Sequence, residues 1–196
     1  MSSTTLRELS GLDQTPASLA SSTLIMVDYQ NTYTRGVMEL DGWQPALESA
    51  AELLGKARAA GATVIHIMAH GDEGTPYDNN AEIGQIHASV APIDGESVVV
   101  KTVPNAFHNT ELAELVEKAG NKDVVVAGFM TNMCVTFTAE GSFLRGYKPT
   151  VVADACATRP LNAVGNTLSA TQIHNAALAT IEDLYGVVVP SPAALV

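Results

Sequence analysis

Apolar residues in this chain collect into short unbroken runs, separated by longer stretches in which they recur at helical spacing. Thr23 to Asp28 (TLIMVD), Ala62 to Ala69 (ATVIHIMA), Ser97 to Lys101 (SVVVK), Asp123 to Ala127 (DVVVA), Thr150 to Ala153 (TVVA) and Val187 to Val189 are β-branched and continuous rather than alternating. That pattern predicts strands covered on both faces, as in a parallel sheet. Between them, Asp41 to Gly61 predicts a helix, with Pro45 in its first turn, Leu47, Ala50, Ala51 and Leu54 on one side, and Gly61 as its stop. Thr110 to Ala119, the segment from Cys134 to Gly146, and Asn166 to Leu184 read as three further helices. Strands alternating with helices predict an α/β fold, a three-layer α/β/α arrangement around a doubly wound parallel sheet with right-handed crossovers.

Two stretches fall outside this alternation. His70 to Gly95 is too polar and too broken by Gly, Pro, Asp and Asn for a regular element, and long loops of that kind are usually functional, so it is expected to cover the site. Residues 1–22 read as an N-terminal arm, long enough to lie on a neighbouring subunit, ahead of a single domain over 23–196. A net charge of −11 leaves no basic stripe for nucleic acid or for an anionic membrane, so a small-molecule partner is expected. No window is apolar enough to span a bilayer, and the first residues lack the cationic start and apolar core of a signal peptide; with only Cys134 and Cys156 present, a reduced, cytoplasmic setting is expected.

Ligands of doubly wound sheets bind beyond the carboxyl ends of the strands. Asp28, Lys101 and Cys134 each stand at or just past such an end. A thiol that attacks a carbonyl needs a base for its proton, a cation beside the thiolate and N–H donors for the developing oxyanion. Asp28 suits the first role and Lys101 the second. Cys134 lies where the fourth strand turns into a helix, and a helix N-terminus lowers a thiol's pKa, so a stabilised thiolate is expected. Taken singly, each residue reads as structural, a solvated carboxylate, a surface lysine and a buried cysteine; it is the three together that point to catalysis.

The order VDYQN, then VVVKTVPNAF, then VVVAGFMTNMCV and VVADACATR resembles the isochorismatase-like cysteine hydrolase family, which includes nicotinamidases and N-carbamoylsarcosine amidases. The resemblance runs from about Thr23 to Val189. It implies a six-stranded sheet in the order 3-2-1-4-5-6, a triad of Asp28, Lys101 and Cys134, a cis peptide between Phe129 and Met130, and an oxyanion hole made by the backbone N–H groups of Met130 and Cys134. It also implies a homodimer or homotetramer.

Two features narrow the expected activity. Vinyl-ether hydrolysis by the true isochorismatases of the family needs an acid and no thiolate, whereas this chain keeps Cys134, so cleavage of a small amide or other C–N bond through a thioester is favoured. The metal-binding histidine run of nicotinamidases has no counterpart after Asp41-Gly42-Trp43, so neither metal nor cofactor is expected. An enol-ether hydrolase, a non-catalytic binding module on the same fold and a thiol redox sensor remain as alternatives. Gln30, Asn31 and Tyr33 after Asp28, Asn105 and Phe107 after Lys101, Phe129, Thr131 and Met133 around the nucleophile, His70 at the second strand's end, and Tyr77 in the long loop are candidate substrate contacts. His66, His174 and Cys156 read as packing residues.

Overall fold

The computed structural model describes residues 3–195. Its strands are β1 (Ser22–Val27), β2 (Thr63–Ala69), β3 (Ser97–Lys101), β4 (Asp123–Gly128), β5 (Lys148–Val152), β6 (Leu161–Ala163), β7 (Asn166–Leu168) and β8 (Val187–Val189). Six of them form one sheet in the order β3-β2-β1-β4-β5-β8, every neighbouring pair parallel. This is the expected 3-2-1-4-5-6 order; its last strand is the eighth in the chain because a hairpin intervenes. The helices are α1 (Leu6–Leu9), α2 (Trp43–Ala59), α3 (Leu112–Ala119), α4 (Thr136–Phe143) and α5 (Ala170–Thr180).

The central strands show why continuous apolar runs were needed. All six residues of β1 are buried, as are five of the six in β4. On the edge strand β3 burial alternates instead: Val98 and Val100 are exposed, whereas Val99 and Lys101 are buried. The two-residue period of a strand therefore turns the Lys101 side chain to the covered face. Helix α2 covers the sheet with Ala46, Leu47, Ala50, Leu53, Leu54 and Ala57, a stripe at three- and four-residue intervals.

Registers bring the strand ends together. Val27 pairs with Ile67 on one side and Gly128 on the other, and Ala69 pairs with Lys101. β4 packs tightly on β1 at Gly128, where φ is +154° and a Cβ would sit 2.1 Å from the Val27 carbonyl oxygen. No side chain fits there, which fixes the residue type just before the nucleophile turn.

One element departs from the sequence reading. The helix expected over Asn166 to Leu184 begins at Ala170, because Asn166–Leu168 pairs antiparallel with Leu161–Ala163 across a turn at Val164 and Gly165. Ser169 and Gln172 then form a reciprocal capping box that sets the true start. The S-x-x-Q spacing is readable in the sequence, but the apolar Leu168 just before it extends the helical pattern past the true start. The same helix widens into a π-helical turn over Ile181–Tyr185. The N-terminal arm lies along its own chain: the Leu6 N–H donates to Asp183, Arg7 donates to the Leu184 carbonyl, and the Ala17 N–H donates to Thr150. Among the described residues no helix is long and apolar enough to cross a membrane.

Candidate active site

Asp28 is the first residue past β1 and has φ of +51°, a left-handed backbone that Asp tolerates better than most side chains. Its N–H donates to Ile67 and its carbonyl accepts from Gln30, so the turn is fixed from both sides. Lys101 ends β3. Cys134 is the fourth residue of a five-residue π-helical turn, Thr131–Val135, that joins β4 to α4. All three side chains are buried, and Lys101 links them: its Nζ lies 2.7 Å from Asp28 Oδ2 and 3.2 Å from Cys134 Sγ. The 2.7 Å approach of Lys101 to Asp28 is a buried ion pair.

The electrostatics of the cluster reverse the expected thiolate. Burial and then the Asp28 carboxylate push the Cys134 thiol up to about 12, with Lys101 opposing them. Burial also raises the Asp28 carboxyl against the pull of Lys101. Desolvation acts to lower the Lys101 ammonium, but Asp28 and Cys134 outweigh it and hold it above its ordinary value. The expected thiolate rested on the helix end beside Cys134, and burial together with the Asp28 carboxylate outweighs that effect. The 2.7 Å contact pairs the Lys101 ammonium with Asp28 as its counter-ion, and the thiol beside them is held toward its neutral form. Losing the thiol proton to water would leave a buried net anion, whereas passing it to Asp28 leaves the total charge unchanged. A nucleophilic thiolate here is formed by internal transfer.

That argument gives an expected result. Asp28→Asn removes the anion and leaves Lys101 alone beside the thiol, so iodoacetamide should label Cys134 about tenfold faster at pH 7 than in the wild type. Slower labelling in the variant would contradict the assignment of charges.

A pocket of about 210 Å³ opens above the cluster, lined by Tyr33, Ala69, His70, Tyr77, residues 102–104, Met130, Met133, Lys101 and Cys134. The Tyr33 and Tyr77 hydroxyls lie 3.2 Å apart and their rings meet edge to face. The peptide between Phe129 and Met130 is cis. The N–H of Met130 has no hydrogen-bond partner among the described residues, whereas its carbonyl accepts from Met133 and Val135.

Of the candidate contacts, Tyr33, His70, Tyr77 and Met133 line this pocket, and the others are occupied elsewhere. Gln30 is wholly buried, its amide exchanging bonds with the Ala69 backbone and donating to the Gly84 carbonyl, so it ties two strand ends to the long loop. Asn31 donates to the Glu82 carbonyl. Asn105 accepts from the Phe107 N–H, and Phe107 stacks on Tyr147 under the Arg145 guanidinium. Phe129 packs behind the pocket against Tyr29 and Tyr33. Thr131 is fully buried and bonds to His174. Residues 102–104 were missed although they follow Lys101 directly, the place where the strand-end rule points. Among the described residues, no group of three or more His, Cys, Asp or Glu side chains is arranged to hold a metal ion.

Residues 22–191 match the family model described as the isochorismatase domain. The chain is 37% identical over 172 residues to an uncharacterized isochorismatase family protein of Bacillus subtilis, YddQ, covering 86% of this chain and 95% of that protein. It is 30% identical over 189 residues to a maleamate amidohydrolase of Pseudomonas putida, covering 85% and 81%. The solved structure of an isochorismatase from Pseudomonas putida KT2440 superposes with a TM-score of 0.96 at 36% identity, over the whole of both chains.

Proposed function

This chain belongs to the isochorismatase family of hydrolases, and from that premise we propose that it cleaves a small amide or related C–N bond through a thioester on Cys134. The observation that carries the reading is the Lys101 ammonium, held within reach of both Asp28 and Cys134 at the floor of a small pocket. A hydrolase that needed only an acid would have no use for a thiol in that position.

In the proposed reaction Cys134 Sγ attacks the carbonyl carbon while its proton passes to Asp28. Lys101 keeps the cluster's charge balanced, and the Met130 and Cys134 N–H groups receive the oxyanion. Collapse of the tetrahedral intermediate breaks the C–N bond, and Asp28 returns the proton to the leaving nitrogen as ammonia or an amine. Asp28, again a carboxylate, then takes a proton from water, which attacks the thioester and releases the acid and the Cys134 thiol.

A pocket of about 210 Å³ suits a substrate of few heavy atoms. Arg159 supports a further choice within that class. Its Nε is buried with no hydrogen-bond partner among the described residues and, although Arg159 does not itself line the pocket, its charge reaches Tyr77 in the wall. A cation there would suit an amide that also carries a carboxylate. The similarity to a maleamate amidohydrolase supports the same choice. Both cysteines are free, which suits a reducing compartment such as the cytoplasm.

The test is a panel of primary amides, carbamoyl compounds and ureides, offered as carboxylated and neutral pairs, with ammonia and free acid both measured. An enol-ether substrate is run beside it with pyruvate as the readout. Equimolar ammonia and acid, faster from the carboxylated member of a pair, is the expected outcome. Pyruvate release without any ammonia would overturn the reading in favour of vinyl-ether hydrolysis.

A further inference from the structure

The turn that carries Cys134 is held from the side opposite the pocket. Thr131, its first residue, is fully buried and engaged on three sides: its N–H donates to the Ala157 carbonyl at 3.0 Å, its carbonyl accepts from the Thr136 hydroxyl at 2.7 Å, and its Oγ1 lies 2.9 Å from His174 Nδ1. The next residue, Asn132, accepts from the Thr158 hydroxyl at 2.6 Å. His174 and Thr158 both line a separate groove of about 360 Å³ between the start of α2 and the start of α5. That groove contains no member of the triad, and three of its lining residues, Ala157, Thr158 and His174, are the ones that bond to Thr131 and Asn132 of the nucleophile turn.

His174 has no other hydrogen-bond partner among the described residues, so the contact with Thr131 is the one polar bond its ring makes. Burial lowers its pKa below the ordinary histidine value, which favours the neutral ring. It comes from α5, remote in sequence, whereas the Thr136 bond is local to the turn. Of the bonds on Thr131, only this one fixes the turn to a helix that is not itself part of the strand-turn-helix unit.

We propose that His174 is a positioning residue, which through Thr131 holds the turn so that the Cys134 thiol and the oxyanion-binding N–H of Met130 face one carbonyl together. This rests on the acyl-transfer reading of Cys134. Met130 directly precedes Thr131, and rotation of the Thr131 peptide would move the Met130 and Cys134 groups relative to each other. Displacements of about 1 Å in such an arrangement are enough to lower a rate severely.

The test uses a small aliphatic aldehyde, butyraldehyde, which adds reversibly to a positioned thiol to give a thiohemiacetal. The aldehyde carbon bonds to sulfur, the thiol proton moves to the former carbonyl oxygen, and no redox change occurs. Protection of Cys134 from iodoacetamide, read by peptide mass spectrometry with Cys156 as internal reference, reports the aldehyde's affinity without any known substrate. His174→Leu is expected to need about tenfold more aldehyde for half-protection, and Thr131→Val the same, with the double variant no worse than either single. His174→Asn, which carries a polar atom on Cγ where histidine carries Nδ1, should stay within about twofold of wild type. His174→Gln, whose amide extends one atom further, should behave like His174→Leu.

An unchanged His174→Leu, a His174→Asn as weak as His174→Leu, or singles whose effects multiply in the double variant would each overturn the proposal. If His174→Leu does not fold, the contrast between Asn and Gln decides the matter. Failure of the aldehyde to protect the wild-type protein would instead overturn the acyl-transfer reading and the proposal with it, so the two failures are distinguishable.

Discussion

Cys134→Ala is expected to lower hydrolysis of any substrate found by about 10⁴-fold or more, with substrate binding little changed, because the thioester route disappears and only the oxyanion donors and pocket remain. The comparison that gives the result meaning is Cys156→Ala. Cys156 is equally buried, its thiol is likewise pushed up to about 12, and its sulfur donates to the Val152 carbonyl at 3.3 Å. It has no lysine beside it, so its removal should leave turnover near the wild-type value. High pKa and burial are thus common to both cysteines, and the Lys101–Asp28 partnership is what separates them. Retention of activity in Cys134→Ala would mean an acid-catalysed reaction at Asp28 instead.

Lys101→Met is expected to cost stability as well as activity. Removing one partner of a buried ion pair typically costs about 3 to 5 kcal/mol, since the other charge is left without compensation. With its ion-pair partner gone, the buried Asp28 carboxyl escapes the penalty by binding a proton. The sign follows. With Lys101 gone, the folded-state pKa of Asp28 rises further above its unfolded value of about 3.9, so folding takes up a proton across the window between the two. Stability of the variant therefore falls as pH rises through that window, and its deficit against wild type should be larger at pH 8 than at pH 5 in urea unfolding. Asp28→Asn combined with Lys101→Met should recover part of the loss, because no buried charge remains. A deficit independent of pH would contradict the charge assignment. Hydrolysis by Lys101→Met should fall by about 10³-fold, a protonated Asp28 being unable to act as base.

The sheet was legible in the sequence because unbroken β-branched runs have few other uses, and the strand-end rule then singled out Asp28, Lys101 and Cys134. What local pattern could not give was the state of the cluster. The expected thiolate followed from a helix end, a feature of adjacent residues, whereas the high thiol pKa depends on burial and on a carboxylate from another strand. The pocket contacts failed for a related reason. Gln30 and Asn31 stand next to Asp28 in sequence, yet the long loop passes over β1 and claims both amides for its own backbone carbonyls. Asn105 and Phe107 follow Lys101 too far along; the chain has already turned away after residues 102–104. His174 was read as a packing residue because an amphipathic helix shows which face is covered and not what lies beneath it.

The most direct test of the account is to quench the protein with acid during steady turnover of a panel substrate and determine the mass of the peptide that contains Cys134. The account expects that peptide to be heavier by the acyl part of the substrate, the substrate less its leaving amine, with the adduct lost on exposure to hydroxylamine. An unmodified Cys134 peptide under conditions where ammonia is released at full rate, and where Cys134→Ala releases it equally fast, would contradict it.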